Sequence, residues 1–237
     1  MYRNFIFDLY GTLVDVETDE TSLDTWAAYC DWLSGENIIY DAAELKAKFD
    51  GITAGFKDIV TPYEYPEHDL FPVFAKVLRE RRADYTDGQV YAAGAMFRRI
   101  STKKLRLFPN TMKVLTGLRD AGRKVYLLSN AQRMFTWQEL EMLGLVDCFD
   151  DIFISSDEGC MKPDKAFIGR LIDRHGLKVG ESIMVGNDCR SDVAVADAVG
   201  MDAAYVRTSP LPGNGPDIAC RYVYNDGDIG HILELIK

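Results

Sequence analysis

Four polar motifs closely follow short apolar runs in this 237-residue chain. A carboxylate, a hydroxyl–amide pair, a cation and an acidic group stand in that order, at Asp8, Ser129-Asn130, Lys162 and Gly186-Asn187-Asp188. A carboxylate can attack an electrophilic phosphorus or carbon atom, and the covalent intermediate is then hydrolysed. A lysine beside it neutralises charge on the nucleophile and on the substrate. The residue types therefore predict covalent hydrolysis of a small anionic substrate.

Each motif also has an ordinary structural interpretation when it is taken alone. Ser129-Asn130 is typical of a helix N-cap. Lys162 before Pro163 is typical of a solvated loop charge, and Asp188 and Asp192 are typical of carboxylates in a first helical turn. The occurrence of four complementary groups after four apolar runs favours a shared site. Ligands of open parallel sheets bind beyond the carboxyl ends of the strands, which is where these motifs would lie.

The elements that would position these motifs alternate between short strands and helices. The apolar runs predict strands at 4–8, 124–128, 151–154, 182–185, 203–206 and 222–224. The helical periodicity predicts helices at 111–120, 134–143, 165–175, 192–199 and 229–236. Crossover connections between parallel strands are right-handed and cover both faces of the sheet. We therefore predict an α/β fold with a Rossmann-like parallel sheet and helices on both faces.

The stretch at 16–104 has a different, helical pattern. Apolar side chains recur at helical spacing at Leu23, Trp26, Ala27, Cys30 and Leu33. Thr21 and Asp24 are the expected capping pair of this helix, and further helices are expected at 42–56, 71–82 and 89–99. We predict a core domain of residues 1–15 and 105–237 with an inserted α-helical cap domain of residues 16–104.

Two charged stretches flank this insertion. The acidic residues between 15 and 24 are interpreted as a solvated loop. The basic cluster before the core resumes, Arg98, Arg99, Lys103, Lys104 and Arg106, is typical of the solvated end of a helix, and could alternatively steer an anionic substrate.

The charge balance limits the classes of partner. Lys and Arg number 27 against 37 Asp and Glu, a formal net charge of −10, which argues against nucleic acid and anionic membranes. The longest apolar runs fall far short of the roughly 18–20 residues that a membrane span needs. Five cysteines without a CxxC pair predict free thiols and a cytoplasmic location. The oligomeric state cannot be predicted.

The motifs match a known family. The run Phe7-Asp8-Leu9-Tyr10-Gly11-Thr12-Leu13-Val14-Asp15 resembles the first motif of the haloacid dehalogenase (HAD) superfamily. Ser129-Asn130, Lys162-Pro163 and Gly186-Asn187-Asp188-Cys189-Arg190-Ser191-Asp192 resemble its second, third and fourth motifs, in the expected order. The stretch between the first two motifs lies where that family carries its helical cap.

The resemblance implies roles for individual residues. The catalytic set would be Asp8 as nucleophile with Thr12, Ser129, Asn130 and Lys162. The substrate would be held by Tyr10, Gly11, Ser129, Asn130 and Lys162. Magnesium, which prefers hard oxygen ligands, would be bound by Asp8, the Tyr10 backbone carbonyl, Asn187, Asp188 and Asp192. The pairing is open: either Asn187 or Asp188 joins Asp192 as a metal ligand.

One departure from the family pattern bears on function. Phosphatases of the family place an aspartate two residues after the nucleophile as a general acid, and this chain has Tyr10 there. A phenol with an unperturbed pKa near 10 is a poor acid for that task. The 2-haloacid dehalogenase branch has tyrosine at this position. However, a haloacid carries a carboxylate, and that branch resembles enzymes that hold it with an arginine early in the cap. Here no arginine occurs between Arg3 and Arg79.

Three functions follow from these observations. The acidic fourth motif favours a magnesium-dependent phosphatase of small phosphorylated metabolites with an aspartyl-phosphate intermediate. The alternatives are a 2-haloacid dehalogenase-type hydrolase with an aspartyl-ester intermediate, and a catalytically weak binding protein on the same fold.

Overall fold

A computed structural model describes residues 1–208 and 220–236 of the protein. Its strands are β1 (Asn4–Phe7), β2 (Val14–Thr18), β3 (Thr102–Leu107), β4 (Lys124–Ser129), β5 (Asp151–Ile154), β6 (Ser182–Gly186), β7 (Asp202–Val206) and β8 (Tyr222–Tyr224). Six of them form one sheet in the order β5-β4-β1-β6-β7-β8, and every neighbouring pair is parallel. The strands β2 and β3 form a separate antiparallel pair.

Four helices lie between β2 and β3, and the others lie between the strands from β3 onward. They are α1 (Leu23–Gly35), α2 (Ala42–Ala54), α3 (Phe71–Arg81), α4 (Asp87–Ser101), α5 (Thr111–Asp120), α6 (Arg133–Met142), α7 (Ser155–Glu158), α8 (Lys165–His175) and α9 (Ala194–Asp197). Short 3-10 segments lie at Gly55–Asp58, Val146–Cys148, Val179–Glu181 and Ile229–Ile236, and a π-helical turn lies at Cys189–Val193. Across the described ranges 1–208 and 220–236, no helix has both the length and the apolar character that crossing a membrane requires.

Alternate side chains of the central strands enter two separate cores. Phe5 and Phe7 of β1 pack on one face of the sheet with the buried side of α5. Ile6 packs on the other face with the buried side of α8, including Phe167. Because successive strand residues point to opposite faces, both faces are covered. The predicted α/β fold with helices on both faces is confirmed.

A third, aromatic core lies among the helices of the insertion. The ring centroids of Trp26 and Phe97 lie 4.7 Å apart in a tilted arrangement, and those of Phe74 and Phe97 lie 5.8 Å apart. Phe135, from the first turn of α6, packs into the same cluster. The insertion therefore shares its hydrophobic core with the helix that follows the Ser129-Asn130 motif.

The antiparallel pair β2–β3 corrects the interpretation of the two charged stretches. Part of the acidic stretch predicted as a loop is strand β2, in which Val14 and Val16 alternate with the acidic residues. Asp15 pairs with Lys104 at 2.8 Å and with Arg106 at 2.9 Å across the two strands. The acidic and basic stretches are therefore partners of each other.

Three smaller predictions are also wrong in detail. Ser22, rather than Thr21 with Asp24, caps α1 by accepting a hydrogen bond from the Thr25 amide. The helix expected at 192–199 is a π-helical turn followed by the short α9, and the one expected at 229–236 is a 3-10 segment. The domain division stays a prediction, and the β2–β3 pair crosses both of its boundaries.

Candidate active site

The strand ends β1 and β6 and the loop before α8 bring three charged side chains into contact. Lys162 Nζ donates to Asp8 Oδ1 and to Asp192 Oδ1, each at 2.7 Å. All three residues are buried, with 7% of Asp8, 2% of Lys162 and 1% of Asp192 exposed. The first, third and fourth motifs thus meet in one buried cluster, which is the geometry that the strand-end argument predicts.

The Lys162 ammonium stays charged in this buried cluster. Burial alone would lower the pKa of Lys162, but the Asp192 and Asp8 carboxylates outweigh it and raise that pKa, so the ammonium stays protonated. Burial raises the pKa of Asp192 to about 6, against the opposing effect of Lys162. At neutral pH the Lys162 ammonium therefore stays paired with the Asp192 carboxylate in the buried site.

Asp192 is engaged on both oxygens. Its Oδ1 accepts from Lys162, and its Oδ2 accepts from the backbone amides of Asn187 and Asp188, each at 3.0 Å. A β-carbon on Gly186 would overlap the Asp192 carboxylate, so only glycine fits there. These contacts make Asp192 the residue that fixes both the lysine and the loop of the fourth motif.

Thr12 joins the nucleophile position to the fourth motif. Its Oγ1 lies 2.9 Å from Asp8 Oδ2 and 3.2 Å from Asn187 Oδ1. Gly11, with a positive φ of 84°, lets the loop pass Asn187, because a β-carbon there would overlap the amide. Asp188 instead turns to its own loop, where its carboxylate accepts from the Arg190 amide at 2.9 Å.

These oxygens have the chemistry of a site for a hard divalent cation. Asp8 and Asn187 both present an oxygen to the same hydroxyl of Thr12, and carboxylate and amide oxygens are ligands that magnesium accepts. Within residues 1–208 and 220–236, no three His, Cys, Asp or Glu side chains are grouped as a metal site. A cation here would therefore depend on amide or backbone oxygens as well as carboxylates, and the donor set fits that requirement.

In the second motif, Ser129 offers a hydroxyl donor and Asn130 holds the loop of Lys162. Ser129 Oγ is fully buried and has no hydrogen-bond partner in the described part of the chain. Asn130 uses its whole amide on the lysine loop, since Nδ2 donates to the Lys162 carbonyl at 2.9 Å and Oδ1 accepts from the Lys162 amide at 2.8 Å. Ser129 is thus available to a ligand, and Asn130 positions Lys162.

The hydrogen bonds of the Tyr10 hydroxyl do not suit the role of a general acid. Its hydroxyl donates to the buried Glu139 carboxylate and lies 3.0 Å from Thr136 Oγ1, both on α6. Burial and the Glu139 charge raise the pKa of Tyr10 well above its ordinary value. Arg98 of α4 donates to Glu139 at 2.7 Å, and its guanidinium lies 5.4 Å from the centre of the Tyr10 ring. The phenol is therefore a bound structural donor.

Sequence reasoning missed several residues that support this site. Glu139, Gln132 and Asp164 each hold a loop of the site through hydrogen bonds. Gln132 and Asp164 stand two residues after Asn130 and Lys162, and that proximity was the available signal. Glu139 is far from every motif in sequence and gave no signal of its own.

Comparison with known proteins agrees with the fold and the motif order. A family model described as haloacid dehalogenase-like hydrolase matches residues 2–200. A glyceraldehyde 3-phosphate phosphatase of Methanothermobacter thermautotrophicus is 34% identical over 104 residues, which cover 44% of this chain and 46% of the relative. The first two curated relatives are matched over 46% and 64% of their own length, less than two thirds in each case.

Solved structures share the whole architecture at lower sequence identity. An HAD phosphatase from Thermococcus onnurineus superposes with a TM-score of 0.63 at 23% identity, covering 99% of this chain and 97% of that one. A 2-haloacid dehalogenase from Pseudomonas syringae pv. Tomato superposes with a TM-score of 0.64 at 19% identity, covering 100% and 98%. These likenesses concern the fold alone. With the family match over most of its length, the chain belongs to the haloacid dehalogenase-like hydrolases.

Proposed function

We propose that this hydrolase is a magnesium-dependent phosphatase of small phosphorylated metabolites that acts through an aspartyl-phosphate on Asp8. The observation that carries the proposal is the buried hydroxyl of Ser129, which has no partner among the described residues. Ser129 lies on β4, the strand that pairs with β1 next to the Asp8–Lys162 pair. A buried donor without a partner costs about 1–3 kcal/mol. A phosphoryl oxygen of the substrate would accept that hydrogen bond and remove the cost.

The reaction would use these residues in two steps. Asp8 attacks phosphorus, and the bond between phosphorus and the ester oxygen breaks, so the leaving group departs with the electron pair. Lys162 and Ser129 stabilise the negative charge on the transferring group. Water then attacks the phosphorus of the aspartyl-phosphate, releases inorganic phosphate and regenerates the Asp8 carboxylate.

Magnesium would be held by Asp8, the Tyr10 backbone carbonyl and Asn187, with Asp188 as the alternative to Asn187. The shared contact of Asp8 and Asn187 with Thr12 supports Asn187. Asp192 would support the site through Lys162 and the loop amides, since both of its oxygens are engaged there. When bound, the cation supplies neutralising positive charge for the phosphoryl oxygens.

The nature of Tyr10 narrows the substrate. Its hydroxyl is committed to Glu139, so nothing at this position resembles the aspartic acid that protonates a leaving alkoxide in family phosphatases. Substrates whose leaving groups are stable anions, such as aryl or acyl phosphates, should therefore be favoured. If alkyl phosphates turned over as fast as aryl phosphates, this restriction would be wrong.

The same observation favours a second candidate, the 2-haloacid dehalogenase reaction. Halide leaves as a stable anion and needs no proton, so Tyr10 would be no obstacle. The Asn187 oxygen, which shares the Thr12 hydroxyl with Asp8, supports the phosphatase over this rival, because the dehalogenase mechanism uses no metal.

One experiment separates these functions. Hydrolysis of para-nitrophenyl phosphate is measured with magnesium and with EDTA, in parallel with chloride release from 2-chloropropionate, for the unmodified protein and for Asp8→Asn. We expect magnesium-dependent phosphate release that the variant abolishes. Metal-independent chloride release without phosphatase activity would establish the rival. Trace hydrolysis that Asp8→Asn leaves unchanged would point to contamination and to the weak binding protein.

The expected partner and cellular location of the protein are part of the same proposal. A small anionic substrate, rather than nucleic acid or a membrane, suits a formal net charge of −10 with a local cationic side chain at Lys162. All five cysteines are free thiols, which supports a reducing cytoplasm.

A further inference from the structure

A segment of the cap without regular helix lies on the loop that carries the catalytic lysine. This segment, residues 63–70, precedes α3 and is called here the cap segment. The Met161 amide donates to the Tyr65 carbonyl at 3.0 Å, and the Glu67 amide donates to the Gly159 carbonyl at 3.1 Å. Between these bonds, Pro66 and Cys160 form an antiparallel bridge. The backbone on the N-terminal side of Lys162 is thus paired with the cap.

Asp164 fastens the same loop on the other side of Lys162. This buried carboxylate accepts from the amides of Glu64 and Tyr65 through Oδ2, at 3.0 and 3.3 Å. Its Oδ1 accepts from the Ala166 amide at 2.9 Å and so caps α8. The cap segment therefore contacts the lysine loop both before and after Lys162.

Gln132 fastens the cap segment to the second catalytic loop. Its Oε1 accepts from the Leu70 amide at 2.8 Å, while Nε2 donates to the His68 carbonyl at 3.0 Å and to Glu67 Oε1 at 3.1 Å. Ser155, at the end of β5, also donates to Glu67, at 2.8 Å. Gln132 follows Ser129-Asn130 by two residues, so the cap segment is bonded to both loops that would hold a phosphoryl group.

We infer that the cap segment positions the Lys162 and Ser129-Asn130 loops, with Gln132 as a positioning residue, and that a phosphoryl group binds only while this segment is docked. A cap attached only through the β2–β3 pair could open without disturbing these loops. Here, undocking breaks backbone hydrogen bonds before Lys162 and the bonds of the Asp164 side chain after it. The kinetic consequences rest on the proposed phosphatase function, whereas the coupling to a bound anion does not require turnover.

Amide hydrogen exchange of the unmodified protein tests the coupling directly. If undocking is incompatible with a bound phosphoryl group, inorganic phosphate at ten times its Kd should slow exchange at the amides of Glu67, Leu70 and Met161 by about 10-fold. The amides of Leu45 and Val90, in the first turns of α2 and α4, serve as controls and should not change. Phosphate binding that leaves the exchange of the cap segment unchanged would overturn the inference.

A pair of matched variants tests the positioning role. Gln132→Met removes the hydrogen bonds to the cap segment and keeps the side-chain length. Gln138→Met is the control. Gln138, which lies on α6 and outside both loops, also donates to a cap carbonyl, that of Ala95 at 3.0 Å. We expect Gln132→Met to lower kcat for para-nitrophenyl phosphate by about 10- to 100-fold with a smaller change in KM, as misplacement of a catalytic group does.

The two variants should differ in exchange as well as in rate. Gln132→Met should speed exchange at Leu70 and Glu67, and Gln138→Met should leave both exchange and kcat within about 2-fold of the unmodified protein. Equal kcat in the two variants would show that Gln132 is only structural. If no phosphatase activity exists in any form of the protein, the proposed function fails, and the exchange experiment with phosphate still decides the inference.

Discussion

Breaking the buried ion pair between Arg98 and Glu139 should strongly destabilise the protein, because it leaves a buried charge without its partner. Arg98 of α4 is 9% exposed and Glu139 of α6 is 3% exposed. Arg98 Nε donates to Glu139 at 2.7 Å, and Arg98 Nη1 donates to Glu20 at 2.6 Å. Arg98→Met keeps the apolar stem over Phe135 and removes the charge. Among the described residues, this leaves the Tyr10 hydroxyl as the side-chain donor to the buried Glu139 carboxylate.

The expected magnitude follows from that burial. Removing one partner of a buried ion pair costs about 3–5 kcal/mol, chiefly because the other charge stays buried without compensation. Tyr10 still donates to Glu139, so we expect a loss near the lower end, about 3 kcal/mol in the free energy of unfolding. Replacing both charges, in Arg98→Met with Glu139→Gln, removes the uncompensated charge and should cost only about 1 kcal/mol. The coupling between the two positions is then about 2 kcal/mol or more.

Urea unfolding of the unmodified protein, Arg98→Met, Glu139→Gln and the double variant at pH 7, followed by circular dichroism, gives the stability losses and the coupling free energy. Arg106→Met is the matched control, since Arg106 pairs with Asp15 at an exposed position where an ion pair contributes about 0–1 kcal/mol. If Arg98→Met were no more destabilising than the control, or if the double variant were as unstable as the single one, the argument from the uncompensated carboxylate would be refuted.

Three further predictions use single substitutions elsewhere in the site and the cap segment. Burial raises the pKa of Glu67 in the folded protein, so the contribution of Glu67 to stability is fully present below the ordinary glutamate pKa of about 4.3 and is lost as pH rises through the folded pKa. The free energy of unfolding of Glu67→Gln, relative to that of the unmodified protein, should therefore increase between pH 4 and pH 7. An opposite slope in urea titrations would contradict this. Tyr10→Phe should keep kcat for para-nitrophenyl phosphate within about 3-fold, whereas a loss of 100-fold or more would identify Tyr10 as a general acid. Ser129→Ala should leave stability to urea unchanged or slightly higher, because it removes a buried hydroxyl that has no partner in the described part of the chain, and should lower kcat/KM by about 100-fold; a loss of stability with unchanged kinetics would show that Ser129 binds no phosphoryl oxygen.

The part of the fold that the sequence predicted well is the part with strong apolar periodicity. Strands β1, β4 and β6 are short runs of buried residues, and their ends bear the polar motifs. Parallel pairing brings those ends to one edge, so the sequence placed Asp8 and Asp192 in one site, with Lys162 on the loop that follows the neighbouring strand β5. The sequence could not show which oxygen of each carboxylate already accepts a hydrogen bond. That depends on loop amides, whose direction has no sequence signature.

The strands β2 and β3 show why other elements were missed. Their apolar side chains are few and their acidic and basic residues dominate the composition, so the period of two in Val14 and Val16 is hard to recognise in isolation. The pairing partner lies almost a hundred residues away, and only the paired strand explains the charges of both segments. The cap segment is harder still, since its order comes from contacts with Gln132 and Asp164 rather than from periodicity.

The position of Tyr10 connects the chemistry of the site to the attachment of the cap. In an enzyme with a carboxylic acid at this position, the side chain has to stay free to reach the leaving group. Here the phenol is held by Glu139, and Glu139 is in turn neutralised by Arg98 from the cap. The loop that begins with the nucleophile is therefore bonded through α6 to the cap, while the lysine loop is bonded to the cap segment. On the proposed function, the absence of an acid at this position restricts the leaving groups. The same Tyr10 side chain, through Glu139 and Arg98, gives the Asp8 loop an anchor to the cap in addition to that of the cap segment.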